Sequence, residues 1–77
     1  MPHELLMPKT GHIEDEATVY QWLKSEGDAI RKGDAVLEVE TEKAILEVES
    51  FVSGTLLQIL VPAGETVKVG TVLALIG

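Results

Sequence analysis

Laid against itself, this chain repeats. The segment TVYQWLKSEGDAIRKGDAVLEV from Thr18 aligns without a gap with TLLQILVPAGETVKVGTVLALI from Thr55. Thr18 meets Thr55, Gln21 meets Gln58 and Leu23 meets Leu60, while Gly27 and Gly33 fall on Gly64 and Gly70. Conservative pairs fill the intervals: Asp28 with Glu65, Ile30 with Val67, Arg31 with Lys68. Two turn glycines in register are hard to obtain by chance, so the chain reads as a duplicated unit. Each half is too small to bury its own apolar face. The halves are therefore expected to pack on each other as two sheets related by an approximate two-fold. Seventy-seven residues with no cysteine support one compact core and offer neither a disulfide nor a thiolate zinc site, so packing and backbone pairing must hold the fold.

The residues between the glycines set the fold class. Valine, isoleucine, leucine and threonine recur in short runs punctuated by Gly11, Gly27, Gly33, Gly54, Gly64 and Gly70, the grammar of strands and turns. No window of helical length keeps an apolar face at 3.6-residue spacing without a Gly or Pro interrupting it, so no substantial helix is predicted. Strands are predicted near residues 3–8, 17–24, 35–41, 44–50, 54–61 and 71–76, with short extended pieces at 29–31 and 66–68. Gly33 is expected at positive φ in its turn.

Charge narrows the partners. Thirteen acids against six bases give a net charge of −7, which repels nucleic-acid phosphates and anionic lipid and suits a basic partner surface. The start MPHELLMPK lacks the basic, continuously apolar build of a signal peptide, and no apolar run approaches a membrane span. The reading is a soluble chain with neither nucleic-acid nor membrane partners.

Between the repeats lies EVETEKAILEVES, Glu38 to Ser50. Leu37 and Val39 alternate with Glu38 and Glu40, and Leu46 and Val48 alternate with Glu47 and Glu49, so each segment has an oily face and an acidic face. A tight reversal through Thr41, Glu42, Lys43 and Ala44 brings the segments into antiparallel register, all four aliphatic side chains toward the core and Lys43 at the tip. Two-residue hairpins favour Asn-Gly or Asp-Gly because their turns need positive φ, and Glu-Lys supplies neither. Some requirement other than turn formation is expected to dictate the tip. A Schiff-base lysine needs burial or neighbouring cations to activate it. Here the neighbours are carboxylates, which leaves an exposed amine on a flexible stem, suited to presentation to another protein's active site.

Nothing else in the chain suggests catalysis or a metal. Trp22, the only tryptophan, reads as a core anchor on its alternating strand. His3 and His12 lack ligand spacing with each other or with a carboxylate cluster. Glu14-Asp15-Glu16 lacks the spaced oxygens of a calcium loop and reads as a solvated acidic loop. Gly27-Asp28 and Gly33-Asp34 are turn residues with no helix after them to cradle a phosphate.

The sequence resembles the biotinyl/lipoyl attachment domains, specifically the lipoyl domains of 2-oxo acid dehydrogenase complex dihydrolipoamide acyltransferases, over essentially its whole length of residues 1–77. The resemblance is carried by Met7-Pro8-Lys9 with Gly11, Trp22-Leu23-Lys24, Glu26-Gly27-Asp28, Gly33-Asp34, the run Glu38 to Ala44, and Gly54 with Val69-Gly70. It implies an all-β fold, a flattened β-barrel or barrel-sandwich hybrid of two four-stranded antiparallel sheets with approximate internal two-fold symmetry. It further implies that Lys43 carries lipoic acid through an amide bond and that Thr41, Glu42 and Ala44 are read by the modifying lipoate ligase or lipoyl transferase. The implied role is non-catalytic. A thiamine-diphosphate-dependent 2-oxo acid decarboxylase reductively acylates the dithiolane, an acyltransferase core passes the acyl group to coenzyme A, and a flavin-dependent dihydrolipoamide dehydrogenase reoxidises the dithiol.

Two departures from the family pattern stand out. Glu42 replaces a frequent Asp before the lysine, and His12, Ile13, Glu14, Asp15, Glu16 and Ala17 replace a stretch of loop that commonly reads Met-x-Glu-Gly in pyruvate-type members, Glu14 standing for the Met, Glu16 for the acid and Ala17 for the Gly. By resemblance that loop lies beside the hairpin and helps the decarboxylase recognise its carrier. Met7-Pro8-Lys9 leans toward pyruvate- or acetoin-type complexes, while Ala17-Thr18-Val19 is similar to 2-oxoglutarate-type domains. The alternatives are a biotinyl carrier, which would better match with methionines on both sides of the lysine, and an unmodified barrel-sandwich interaction module. The resemblance places the protein in the cytoplasm if bacterial or archaeal, the favoured case, and in the mitochondrial matrix if eukaryotic. The chain reads as either an excised domain or a free-standing carrier.

Overall fold

The computed structural model describes residues 2–10 and 15–77. Among these described residues eight strands follow one another: β1 (His3–Leu6), β2 (Glu16–Trp22), β3 (Ala29–Ile30), β4 (Ala35–Glu40), β5 (Ile45–Glu49), β6 (Gly54–Ile59), β7 (Thr66–Lys68) and β8 (Val72–Ile76). They form two four-stranded antiparallel sheets, ordered β1-β8-β6-β3 and β5-β4-β2-β7. No helix of the described residues is long and apolar enough to cross a membrane.

Every predicted strand is present, most of them a residue or two shorter. After Trp22 the ladder ends because two donors converge on one carbonyl: the N–H groups of Leu23 and Lys24 both bond Val36 O, at 2.9 and 3.2 Å. The second half ends its long strand in the same way, Leu60 and Val61 sharing Leu73 O at 2.8 and 3.2 Å. β1 stops before Pro8, which has no N–H to donate.

The duplication is visible strand by strand: β2, β3 and β4 correspond to β6, β7 and β8, and β5 corresponds to β1. One difference from the sequence expectation matters. Neither sheet is one half of the chain. β3 leaves the first repeat to pair with β6, and β7 leaves the second to pair with β2. The exchange is anchored by paired bonds, Gly27 N–H to Leu56 O and Gly64 N–H to Val19 O, each 2.7 Å. Each half thus completes the other's sheet, which answers the edge problem that a lone three-stranded half would face.

Bulges recur at equivalent places. Tyr20 and Leu57 are the extra residues of β2 and β6 and are pushed outward, about half exposed, while Val36 and Leu73 are extra in β4 and β8 and point inward. The inward bulges put Val36 beside Leu37, and Leu73 beside Ala74, in a core that also contains Leu5, Met7, Val19, Ile30, Val39, Val48, Leu56 and Ile76. Trp22 packs half-buried against this core and donates its indole N–H to Val61 O at 2.9 Å. Strict alternation along β4 identified Leu37 and Val39 but not Val36. Leu46 departs from expectation in the other direction: it lies opposite Val39 on an edge strand near the end of the core, and 38% of it is exposed.

Gly33 and Gly70 occupy equivalent turns at φ of 94° and 91°. Each donates its N–H across the molecule, to Ser50 O at 2.8 Å and Met7 O at 2.9 Å. The turns close on Asp34 N–H to Arg31 O at 2.9 Å and Thr71 N–H to Lys68 O at 3.1 Å, with glycine third of four, the place where positive φ is needed.

Candidate functional site

The β4–β5 ladder runs in the expected register, with Leu37 opposite Val48, Glu38 opposite Glu47, Val39 opposite Leu46 and Glu40 opposite Ile45. Thr41 to Ala44 are left as the turn, with Glu42, Lys43 and Ala44 exposed and Thr41 half-buried. No non-glycine residue among those described has positive φ, so this is not one of the primed turns. It closes through a side chain instead. The Thr41 hydroxyl oxygen accepts the N–H groups of Lys43 and Ala44 at 3.3 and 3.2 Å and donates to Ala44 O at 3.2 Å, alongside the backbone bond from Thr41 N–H to Ala44 O at 2.9 Å. The absent Asn-Gly is therefore compensated by a Ser/Thr-type turn, and the tip sequence does serve turn formation.

Away from the tip the hairpin divides as its pattern predicts, apart from Leu46 and the added Val36. Leu37, Val39 and Val48 are buried, while Glu40, Glu47 and Glu49 are exposed and Glu38 is half-buried. Glu38 and Glu47 face each other directly, an unfavourable cross-strand pair that Gln21 eases by donating its amide N–H to Glu38.

Beside the tip lies an open groove of about 340 Å³ bounded by Asp15 to Thr18, Glu40 to Glu42, and Thr66. Strand pairing makes it: Thr18 is registered against Glu40 on one side and Thr66 on the other, and the Thr18 and Thr66 hydroxyls bond at 2.7 Å. Asp15 and Glu16 are thereby brought next to Thr41 and Glu42, and four carboxylates line the groove. His12, Ile13 and Glu14, the rest of the anticipated recognition loop, lie outside the described residues. Thr18 and Thr66 were not anticipated as neighbours of the tip. The repeat held the signal, since it aligns β7 with β3, but the exchange of those strands between halves is not legible in one dimension.

The chemistry available at the tip is that of a presented primary amine. Lys43 is exposed, its backbone is held on both sides, and the nearest ionisable neighbours in the turn and along the groove are carboxylates. Such an amine can be acylated by an enzyme whose active site admits the hairpin apex, and its exposure and stem length fit a covalently attached carrier group. Among the described residues, no three His, Cys, Asp or Glu side chains come together in a way that could hold a metal ion.

Known proteins resemble this chain in sequence and in shape. The family Biotin_lipoyl, described as "Biotin-requiring enzyme", matches residues 3–76. The chain is 46% identical over 77 residues to the pyruvate dehydrogenase E1 component subunit beta of Rhizobium meliloti, covering 99% of this chain and 17% of that protein. It is 47% identical over 74 residues to the dihydrolipoyllysine-residue acetyltransferase component of the acetoin cleaving system of Pseudomonas putida, covering 96% of this chain and 20% of that protein. The chain thus spans about a fifth or less of these relatives' length. In shape it matches the solution structure of the lipoyl domain of the 2-oxoglutarate dehydrogenase complex from Azotobacter vinelandii, with a TM-score of 0.73, 24% identity and 95% of each chain covered.

Proposed function

This chain belongs to the Biotin_lipoyl family, and on that premise we propose that it is a lipoyl carrier whose attachment site is Lys43. The observation that carries the reading is the placement of Lys43, an exposed amine at the apex of a side-chain-closed hairpin. Lipoate is favoured over biotin by Glu42 and Ala44, where a biotinyl carrier would better match with methionines. The name of the acetyltransferase relative points the same way.

The domain is a carrier and not itself a catalyst. Lys43 Nζ would hold the group as an amide, losing its charge and leaving the carboxylates of the hairpin face and groove to dominate the tip. The attached lipoyl group supplies a dithiolane that takes up an acyl group with two electrons and releases both in turn. The chain's contribution is mechanical: a rigid β-framework fixes the Lys43 backbone while the side chain swings, so successive active sites meet the tethered group at high effective concentration.

The proposed partners are a lipoate ligase or lipoyl transferase, a thiamine-diphosphate-dependent decarboxylase, an acyltransferase core and a flavin-dependent dihydrolipoamide dehydrogenase. A pyruvate- or acetoin-type substrate is favoured by Met7-Pro8-Lys9 and by the names of the two relatives. A cytoplasmic location accords with their bacterial sources. We assign Asp15 and Glu16 a part in decarboxylase recognition because they flank the tip.

Intact mass after incubation with lipoate, ATP and a lipoate ligase tests the attachment. A lipoyl increment at Lys43 is expected, and an unchanged mass under conditions that modify a control domain refutes it. Comparing acylation of the modified domain by pyruvate-, acetoin- and 2-oxoglutarate-type decarboxylases tests the substrate class.

A further inference from the structure

We infer that the Thr41 hydroxyl is the positioning group that makes Lys43 a selective target for its modifying enzyme. The inference rests on Lys43 being the attachment site. Its physical basis lies in which groups the hydroxyl holds. Lys43 N–H belongs to the peptide plane that precedes the Lys43 Cα, and Ala44 N–H belongs to the plane that follows it. Both point at the same oxygen, Thr41 Oγ1, at 3.3 and 3.2 Å. Fixing both planes fixes the backbone dihedrals of residue 43, and with them the direction of its Cα–Cβ bond. The hydroxyl is locked in turn by donating to Ala44 O at 3.2 Å, and that carbonyl is held by Thr41 N–H at 2.9 Å. Thr41 is half-buried while the three residues after it are exposed, so the anchor is less accessible than the target.

The chain has five lysines, Lys9, Lys24, Lys32, Lys43 and Lys68. An enzyme that selects Lys43 among them meets an exposed amine on an apex of fixed geometry. If the turn loses its hydroxyl, the enzyme must order residues 42 to 44 itself before the amine reaches the reacting carbonyl. That ordering cost appears as a slower reaction. The Thr41 hydroxyl acts through the backbone and not by touching the reacting atoms.

The test compares wild type with Thr41→Val, which keeps the β-branched shape without the hydroxyl, and Thr41→Ser, which keeps the hydroxyl. Two quantities are read: kcat/KM for lipoylation by a lipoate ligase with lipoate and ATP, and hydrogen exchange of the Lys43 and Ala44 amides in the unmodified protein by NMR. For Thr41→Val, kcat/KM falls about threefold to tenfold, the scale of one exposed hydrogen-bonding group, and both amides lose protection. For Thr41→Ser both stay near wild type. In wild type alone, slowed exchange is expected at both amides, a readout that needs no variant to fold.

Modification of Thr41→Val at the wild-type rate overturns the inference. So does slowed modification with unchanged amide protection, which would mean that the enzyme touches the hydroxyl directly, and so does a Thr41→Ser variant as slow as Thr41→Val. A wild-type chain that gains no lipoyl mass overturns the attachment reading and this inference with it. A modified wild type with an equally fast Thr41→Val overturns this inference alone.

Discussion

Replacing Gly33 isolates the energy of a single backbone dihedral. Its φ is 94°, and a Cβ built on it meets nothing within 4 Å among the described residues, so a methyl group there collides with none of them. Its N–H bond to Ser50 O, at 2.8 Å, holds the turn in place and prevents escape to negative φ. An L-residue in the left-handed region costs about 1–2 kcal/mol. Alanine recovers about 0.4–1 kcal/mol through the lower entropy of its unfolded chain. The net loss for Gly33→Ala is about 1 kcal/mol, which in a domain of this size lowers Tm by about 4–8 °C. Gly33→Val costs more, because a β-branched side chain at positive φ is a genuine outlier. Gly33→Asn costs least, because Asn tolerates this region despite its larger volume. Gly70→Ala should match Gly33→Ala, since its φ is 91° and its surroundings are equally open, and the double variant should add because the two turns share no bonding partner. Urea unfolding followed by Trp22 fluorescence measures all of these. A stability order in which Asn falls below Ala would refute the dihedral argument and point to a steric cause. A Gly33→Ala variant as stable as wild type would refute it outright.

Other expectations are simpler. Lys43→Gln should leave Tm within about 2 °C of wild type, because the side chain is exposed and surface substitutions of this kind are small in effect, while abolishing lipoylation by mass; loss of cooperative unfolding would contradict the exposed placement. Trp22→Phe removes the indole N–H from Val61 O and should cost about 1 kcal/mol in urea unfolding followed by circular dichroism; no change would mean that water replaces the bond freely. Glu47→Lys converts a facing Glu38–Glu47 pair into an attractive one and should raise the urea midpoint, the gain shrinking with added salt; a lowered midpoint would refute the repulsive reading. Gly54→Ala should destabilise by a steric clash and not, as Gly33→Ala does, through its backbone dihedral, since its Cβ would lie 2.7 Å from Gly77 O, a backbone atom that cannot step aside alone; a variant as stable as wild type would refute the clash.

Local pattern was enough for much of the molecule. The alternation around Lys43 specified the β4–β5 register, because a one-residue slip would turn Leu37 and Val39 out to water and bring the glutamates in. The in-register glycines of the repeat marked turns that only glycine accommodates easily, and all four lie at positive φ. The tip lysine followed from the hairpin. What alternation could not show was where it breaks. Val36 is buried beside Leu37 because a bulge inserts it, and Leu46 is partly exposed because it sits where an edge strand runs out of core to cover it.

The sequence by itself thus determined an all-β chain, its duplicated turns, and a lysine offered at a hairpin apex, since each follows from residue-to-residue periodicity or from one residue's backbone preference. Tertiary structure alone decided that β3 and β7 trade places between the halves, that Thr18 and Thr66 meet beside the tip, and that one threonine hydroxyl holds both peptide planes of Lys43. Those features depend on contacts between segments far apart in the chain, or on the direction of a single hydroxyl, and neither leaves a period for a sequence to reveal.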